Sequence, residues 1–192
     1  MSDSTPERIL VSGATGYVGG RLVPCLLQEG YDVRCFVRSE RRLRAQPWGS
    51  RVDIAVGDAM NPEDIEAAME GIDAAYYLIH SLGTGDDFAE RDRILATNFR
   101  KAAEAKGVDR IIYLGGMRPK GEQQSEHLLS RMETGDHLRD GPVPVTEFRA
   151  AQIVGSGSLS FELVRYLTER IPVLICPKWV STPTQPIAIR NV

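Results

Sequence analysis

Residues 9–20 read ILVSGATGYVGG. A short apolar run over 9–11 stops at Gly13, and a helical pattern opens at Tyr17 and ends at Gly30. Between them, Gly13, Gly16 and Gly19 form GxxGxxG, with Ala14, Thr15, Tyr17 and Val18 filling the loop. Each glycine has its own physical reason. Gly13 lets the chain turn sharply off a strand. Gly16 lets backbone approach a pyrophosphate with no Cβ in the way. Gly19 lets a helix pack closely. The N–H groups at the helix start, near Tyr17 and Val18, then face phosphate. A glycine triplet alone is weak evidence, but after a first strand and at the head of a helix it points to a bound dinucleotide. The alternative is a glycine-rich turn that packs without a ligand.

Outward from this loop, short apolar runs alternate with amphipathic stretches. Strands are expected over 9–11, 33–37, 52–56, 74–79, 110–114 and 143–150. Helices are expected over 17–29, from Asn61 as cap with Pro62 in the first turn, and over 86–106, 123–138 and 159–169. Pro24 lies inside the first helix, where it bends the helix or removes a backbone bond; Gly20, four residues earlier, relieves the ring clash. Strand–helix alternation implies right-handed βαβ units and a parallel sheet. Three strands precede Gly71 and three follow. The expected fold is α/β, a doubly wound parallel sheet of Rossmann type. Residues 1–155 form the dinucleotide-binding domain and 156–192 part of a short substrate lobe.

Composition narrows the function classes. The 192 residues carry a net charge of −3, which favours neither nucleic acid nor an anionic membrane. No apolar run reaches the roughly 18 residues of a membrane span. The start, MSDSTPER, is polar and lacks the character of a signal peptide, so a soluble cytoplasmic chain is expected. Cys25, Cys35 and Cys176 are odd in number and far apart; they read as buried thiols in a reducing compartment. Three scattered histidines and no cysteine pair indicate no metal site.

The loop, with VRCFVRS after the second strand, GDAMNPEDIEAAMEGIDAAYYLIHS through the fourth, AAEAKGVDRIIYLGG into the fifth and VTEFRAAQIVG at the sixth, resembles the extended and atypical short-chain dehydrogenases/reductases. Within them it is similar to the atypical branch of NmrA-like and NAD(P)H-binding proteins. The resemblance covers nearly the whole chain. It implies a nicotinamide dinucleotide as partner, with Asp58 and Ala59 by the adenine and Leu78, Ile79 and His80 along the ribose and nicotinamide side. Such proteins continue past a segment like PIAIRNV, so the substrate lobe is expected to be incomplete at Val192.

NAD-selective folds place Asp or Glu at the end of the second strand to hold the ribose 2′-OH. Here that position reads Phe36-Val37-Arg38-Ser39, with no carboxylate before Glu40. Arg38 offers a planar donor fork to a 2′-phosphate, so NADP(H) is favoured over NAD(H). Arg41 and Arg44 read instead as a solvated face of a short helix.

The resemblance also implies chemistry by a Ser or Thr after the fifth strand and a YxxxK pair on the next helix. This sequence departs at each position. It reads Leu114-Gly115-Gly116-Met117 after the strand, and His127-Leu128-Leu129-Ser130-Arg131 on the helix. Spacing puts His127 and Arg131 on one helix face. Arg131 is a candidate to hold ribose or substrate. His127 is a candidate proton donor, with an unperturbed pKa of about 6.5. His80, at the end of the fourth strand, is the second candidate; the alternative is a crevice-wall histidine bonded to backbone. His137 is expected to face solvent. The loops over 81–88 and 115–124 are expected to border the substrate.

Three functions fit: an NADP-dependent oxidoreductase acting on a small organic substrate, a non-catalytic NADP(H) redox sensor, or an assembly domain with a structural cofactor and a protein partner. Fold alone does not decide among them.

Overall fold

Strand β1 (Arg8–Ser12) is buried at every position after its first. A strand covered by helices on both faces has no solvated side, so it reads as a continuous apolar run. The computed structural model describes residues 7–80, 87–117, 126–171 and 184–192, and side chains at all of these except 87, 126–128, 159 and 160.

Helix α1 (Gly19–Gln28), β2 (Asp32–Val37), α2 (Glu40–Arg44), β3 (Asp53–Val56), α3 (Pro62–Ala68), β4 (Ala74–Tyr77), α4 (Asp87–Lys106), β5 (Arg110–Gly116), α5 (Glu126–Arg139) and β6 (Val145–Ala150) follow in turn. The six-stranded sheet runs β3-β2-β1-β4-β5-β6. Pairings from β3 through β5 are parallel. The chain winds outward from β1 to one side, then returns to β4 and winds to the other. The crevice at the carboxyl ends of β1 and β4 is therefore the switch point, where such sheets bind ligands.

Alternation along β1 and β2 divides the core between the two faces. Ile9, Val11, Val33, Cys35 and Val37 pack with Val23 and Leu26 of α1. Leu10 and Phe36 belong to the opposite layer, with Leu95 and Phe99 of α4 and Ile111 of β5. Burial pushes the Cys35 thiol up to about 12, so it stays protonated and inert. Cys25, by contrast, is exposed on α1, which corrects the expectation of buried thiols. His137 is half-buried rather than solvent-facing. Cys176 lies outside the described residues.

Asn61 caps α3 by accepting the Glu63 N–H at 3.2 Å, with Pro62 in the first turn. Helix α1 starts two residues later than expected. The Gly16 N–H closes a turn onto the Gly13 carbonyl at 2.9 Å, so the loop keeps residues 17 and 18. The first helical bond runs from the Gly20 N–H to the Gly16 carbonyl. Gly20 does more than make room for Pro24. Its carbonyl, which Pro24 has no N–H to meet, accepts the Trp48 indole N–H at 3.3 Å.

The chain divides into two compact units, Met1–Phe148 and Arg149–Val192. In the second, β7 (Ile153–Val154) pairs in parallel with β8 (Ile187–Ala188), and α6 (Leu159–Arg170) lies between them in sequence. Among the described residues, no helix is long and apolar enough to cross a membrane.

Candidate dinucleotide-binding and active site

Gly13 adopts φ +79°, a backbone that L side chains rarely take, and a Cβ there would sit 2.6 Å from the Leu78 carbonyl oxygen. The Ser12 hydroxyl locks this junction. It donates to the Tyr76 carbonyl at 2.7 Å and accepts the Leu78 N–H at 3.3 Å, tying the ends of β1 and β4 together. A Cβ on Gly19 would lie 2.4 Å from the Gly13 carbonyl oxygen. That glycine thus lets α1 sit against its own loop. Gly16 differs: a Cβ there meets only the Gly13 carbonyl, at 3.1 Å, and no other protein atom within 4 Å. It faces open space.

That space is a cleft of about 900 Å³. Sites for small molecules and cofactors span roughly 300–1,000 Å³. Gly13, Thr15, Gly16, Tyr17, Val18 and Gly19 line one side, and Arg38, Asp58, Ala59, Leu78, Ile79, His80 and Arg131 line the rest. Of the loop residues singled out from sequence, only Ala14 is absent from the lining; its methyl is fully buried in the core, which leaves backbone alone to serve a ligand. The Tyr17 hydroxyl is buried and, among the described residues, has no hydrogen-bond partner. An orphaned phenol is costly unless a ligand or water completes it. The bare Gly16 backbone and this hydroxyl both fit a phosphate-bearing guest.

Beyond the end of β2, Arg38, Ser39 and Arg42 line the cleft. Glu40 is engaged with Arg44 at 3.2 Å, and Arg44 also donates to the Gly49 carbonyl, so neither reaches into the cleft. Gly57 leaves room for Asp64, whose carboxylate accepts the Asp58 N–H at 2.9 Å. Asn98 of α4 donates to the carbonyls of Ala59 and Met60 and holds that strand end in place.

At the other end, Phe88, Arg91 and Leu95 of α4 join His80 and Arg131. Phe88 ends the 81–88 stretch expected to border the substrate, whereas Arg91 and Leu95 were not singled out in the sequence. Arg131 is half-buried, and its backbone carbonyl accepts the Tyr113 hydroxyl at 3.0 Å. Burial pushes the Tyr113 phenol up to about 12 and raises Tyr77 as well, so neither ionises near neutrality. They cannot stand in for a catalytic tyrosine of lowered pKa. His127 lies in α5, but its side chain is outside the described residues, as are most of the loops over 81–88 and 115–124. Among the described residues, no group of three or more His, Cys, Asp or Glu gathers to hold a metal.

A glycine loop at the switch point of a doubly wound sheet, opening into a cleft of this size, defines a nicotinamide-dinucleotide-binding Rossmann domain. The chain belongs to the NAD(P)H-binding family, whose model matches residues 13–166. Its relatives include dehydrogenases and reductases, in keeping with the atypical short-chain dehydrogenases/reductases that the motifs resemble. Sterol demethylase protein B of Methylococcus capsulatus is 27% identical over 188 residues, covering 91% of this chain and 53% of that protein. The 3-beta-hydroxysteroid dehydrogenase of Mycolicibacterium neoaurum is 34% identical over 116 residues, covering 55% of this chain and 31% of its own length. The chain thus spans about half of the first relative and under a third of the second.

Solved structures share the fold. Pen from Bacillus thuringiensis superposes with a TM-score of 0.76 at 18% identity, covering 99% of this chain and 63% of that one. WbmH of Bordetella bronchiseptica, in complex with NAD+, gives 0.69 at 19%, covering 86% and 64%. The triphenylmethane reductase of Citrobacter sp., complexed with NADP(H), gives 0.67 at 24%, covering 84% and 55%.

Proposed function

We propose that this chain is the cofactor-binding part of an NADP(H)-dependent oxidoreductase that acts on a small organic carbonyl or alcohol. The observation that carries the reading is the continuity of one cleft. The glycine loop lies at one end, and a histidine and two arginines, His80, Arg91 and Arg131, at the other. The bound nicotinamide supplies or accepts a hydride. The protein's own task is to hold the ribose, orient the substrate oxygen and move one proton. Arg131 suits the first task, since a guanidinium donates in a fixed fork and does not lose its proton. His127 and His80 are the candidates for the proton.

Preference for the phosphorylated cofactor is supported by Arg38, Ser39 and Arg42 at the adenosine rim and by the engagement of Glu40 with Arg44. The dehydrogenase name of the Mycolicibacterium relative supports redox chemistry. A second reading, an NADP(H) sensor or assembly domain, is favoured by one observation: β5 ends in Leu114-Gly115-Gly116, with no hydroxyl to orient a carbonyl.

Two measurements test the proposal. Titration calorimetry with NADP and NADPH should show binding by the wild type and little by Gly16→Val, whose side chain fills the loop face. Equal binding by both proteins defeats the assignment. The intact protein should then turn over members of a carbonyl panel with NADPH; broad inactivity of the cofactor-loaded protein favours the sensor.

A further inference from the structure

Asp92 lies on α4, and its side chain is 4% exposed. A carboxylate taken out of water persists only with partners. The Ser130 hydroxyl of α5 donates to Asp92 Oδ2 at 3.2 Å. The same oxygen lies 3.8 Å from His80 Nδ1, an ion-pair separation rather than a hydrogen bond. Beneath it, the Tyr77 ring packs edge-on against Phe99 and Tyr113, at centroid distances of 5.0 and 5.9 Å. The His80 ring is 26% exposed and opens onto the cleft. Three elements thus converge on one buried charge whose outer neighbour faces the nicotinamide end.

The order of the array limits what it can do. Ser130 is buried and donates to Asp92 rather than to His80, so its hydroxyl serves to hold the carboxylate and does not reach a substrate in the cleft. A carboxylate facing Nδ1 favours the tautomer that carries hydrogen there and turns Nε2 outward. Its charge also favours the protonated ring.

We infer that His80 is the catalytic proton donor of the cleft and that Asp92, held by Ser130, is the residue that positions it. The inference rests on the oxidoreductase reading above. In the reducing direction, the substrate carbonyl gains hydride at carbon from the reduced nicotinamide and a proton at oxygen from His80 Nε2. An alcohol and the oxidised dinucleotide result, and the imidazole regains its proton from water. Catalytic hydrogen bonds are often long in ligand-free sites and tighten when the site fills, so 3.8 Å is compatible with the role. Among the described residues, Arg91 of α4 and Arg131 of α5 line the cleft together with His80, and the protonated phenols of Tyr77 and Tyr113 lie within reach of the Asp92 charge. The arginine charges act against Asp92 on the ring, so removing the carboxylate and removing an arginine should move the His80 titration in opposite directions.

The test needs no cofactor for its first readout. Imidazole NMR of the free protein, with His80 assigned through His80→Gln, should show Nδ1–H as the neutral tautomer. Its titration should fall to lower pH in Asp92→Asn. If Asn at 92 prevents folding, Ser130→Ala serves: the carboxylate loses one donor and the His80 titration moves to higher pH. An unchanged tautomer and titration in the variant that folds overturns the positioning role, whatever the activity. The second readout is turnover. His80→Gln should lower kcat by roughly 10²–10⁴-fold, the usual contribution of a placed general acid, with NADPH affinity within a few-fold. Asp92→Asn should lower kcat at least about tenfold. A kcat within about threefold of wild type in His80→Gln overturns the catalytic role. Absence of turnover in the wild type instead sinks the oxidoreductase reading, and the catalytic role with it, while the NMR result still decides the positioning role.

Discussion

The Trp48 indole N–H donates to the Gly20 carbonyl at 3.3 Å, filling the vacancy that Pro24 creates one helical turn later. The two residues are therefore coupled through a carbonyl that belongs to neither. Trp48→Phe should destabilise the fold by about 1–3 kcal/mol through an unsatisfied acceptor, on top of its lost packing. Pro24→Ala supplies the missing N–H, so the double variant should lose less than the sum of the singles. Urea unfolding of the four proteins measures the difference. Strict additivity would show that the contact carries no energy.

Asp53 offers a pH signature. The Arg34 guanidinium, bonded at 2.7 Å, holds its carboxyl below the ordinary carboxylate range, and Arg8 adds to the effect. A lowered folded pKa stabilises above the unfolded value, near 3.9 for Asp, and is lost as pH falls through the folded one. The group is 42% exposed, so solvent screening keeps its worth to about 1 kcal/mol or less. Asp53→Asn should be less stable than wild type at pH 7, with the gap closing below about pH 4. Melting curves over a pH series in low salt measure it; a gap constant with pH rules the pairing out as its cause.

Much of the fold was legible because it is local. The glycine loop, the strand runs and the Asn61-Pro62 cap each lie within a dozen residues, and their physics acts over that range. What escaped was long-range. Asp92 and Ser130 meet across 38 residues of chain, and Ser12 reaches Tyr76 across 64. One signal was present: Phe88, Asp92, Leu95 and Phe99 share a helix face by their spacing, and an acid on an apolar stripe marks a buried charge. Arg91 stayed hidden because the crossover from β4, not helix periodicity, decides that this end of α4 borders the crevice.

Gly19 should prove a folding residue where Gly16 is a ligand residue. A methyl at position 19 meets backbone on all sides, 2.4 Å from the Gly13 oxygen and 2.9 Å from the Ala14 Cα. Neither neighbour can swing aside as a side chain would. Gly19→Ala should therefore cost about 1–3 kcal/mol of stability, as overpacking does elsewhere. Differential scanning calorimetry should show a clear drop in Tm without ligand, and a Gly19→Ala protein as stable as wild type contradicts the close approach.

Arg131 separates binding from chemistry. It lines the cleft with His80 and Arg91, and under the proposed function it holds the ribose rather than moving the proton. Arg131→Ala should weaken NADPH by about tenfold or more, the worth of one charge-assisted bond, while turnover at saturating cofactor falls far less. Fluorescence titration of NADPH beside steady-state kinetics gives both numbers. A large loss in kcat with unchanged affinity would move Arg131 into the proton-transfer step.

The proposed preference for NADP(H) rests on Arg38. The residue follows the last position of β2, is exposed, and lines the cleft together with Arg42. A guanidinium there gains a charge-assisted pair with a 2′-phosphate, worth roughly 1.5–3 kcal/mol, but has nothing comparable to offer a 2′-hydroxyl. Arg38→Ala should accordingly weaken NADP by about ten- to a hundredfold and leave NAD within a few-fold. Arg42, one helical turn further on, should contribute a smaller share, because exposed pairs are screened by salt. Arg38→Asp extends the argument, since a carboxylate at that position repels the phosphate and accepts from the hydroxyl, which should reverse the preference. Calorimetric titration of the four proteins with both dinucleotides reads all of this in one series. A wild type that binds NAD as tightly as NADP removes the basis for the assignment, and loss of both ligands in Arg38→Ala would point to a general electrostatic role instead.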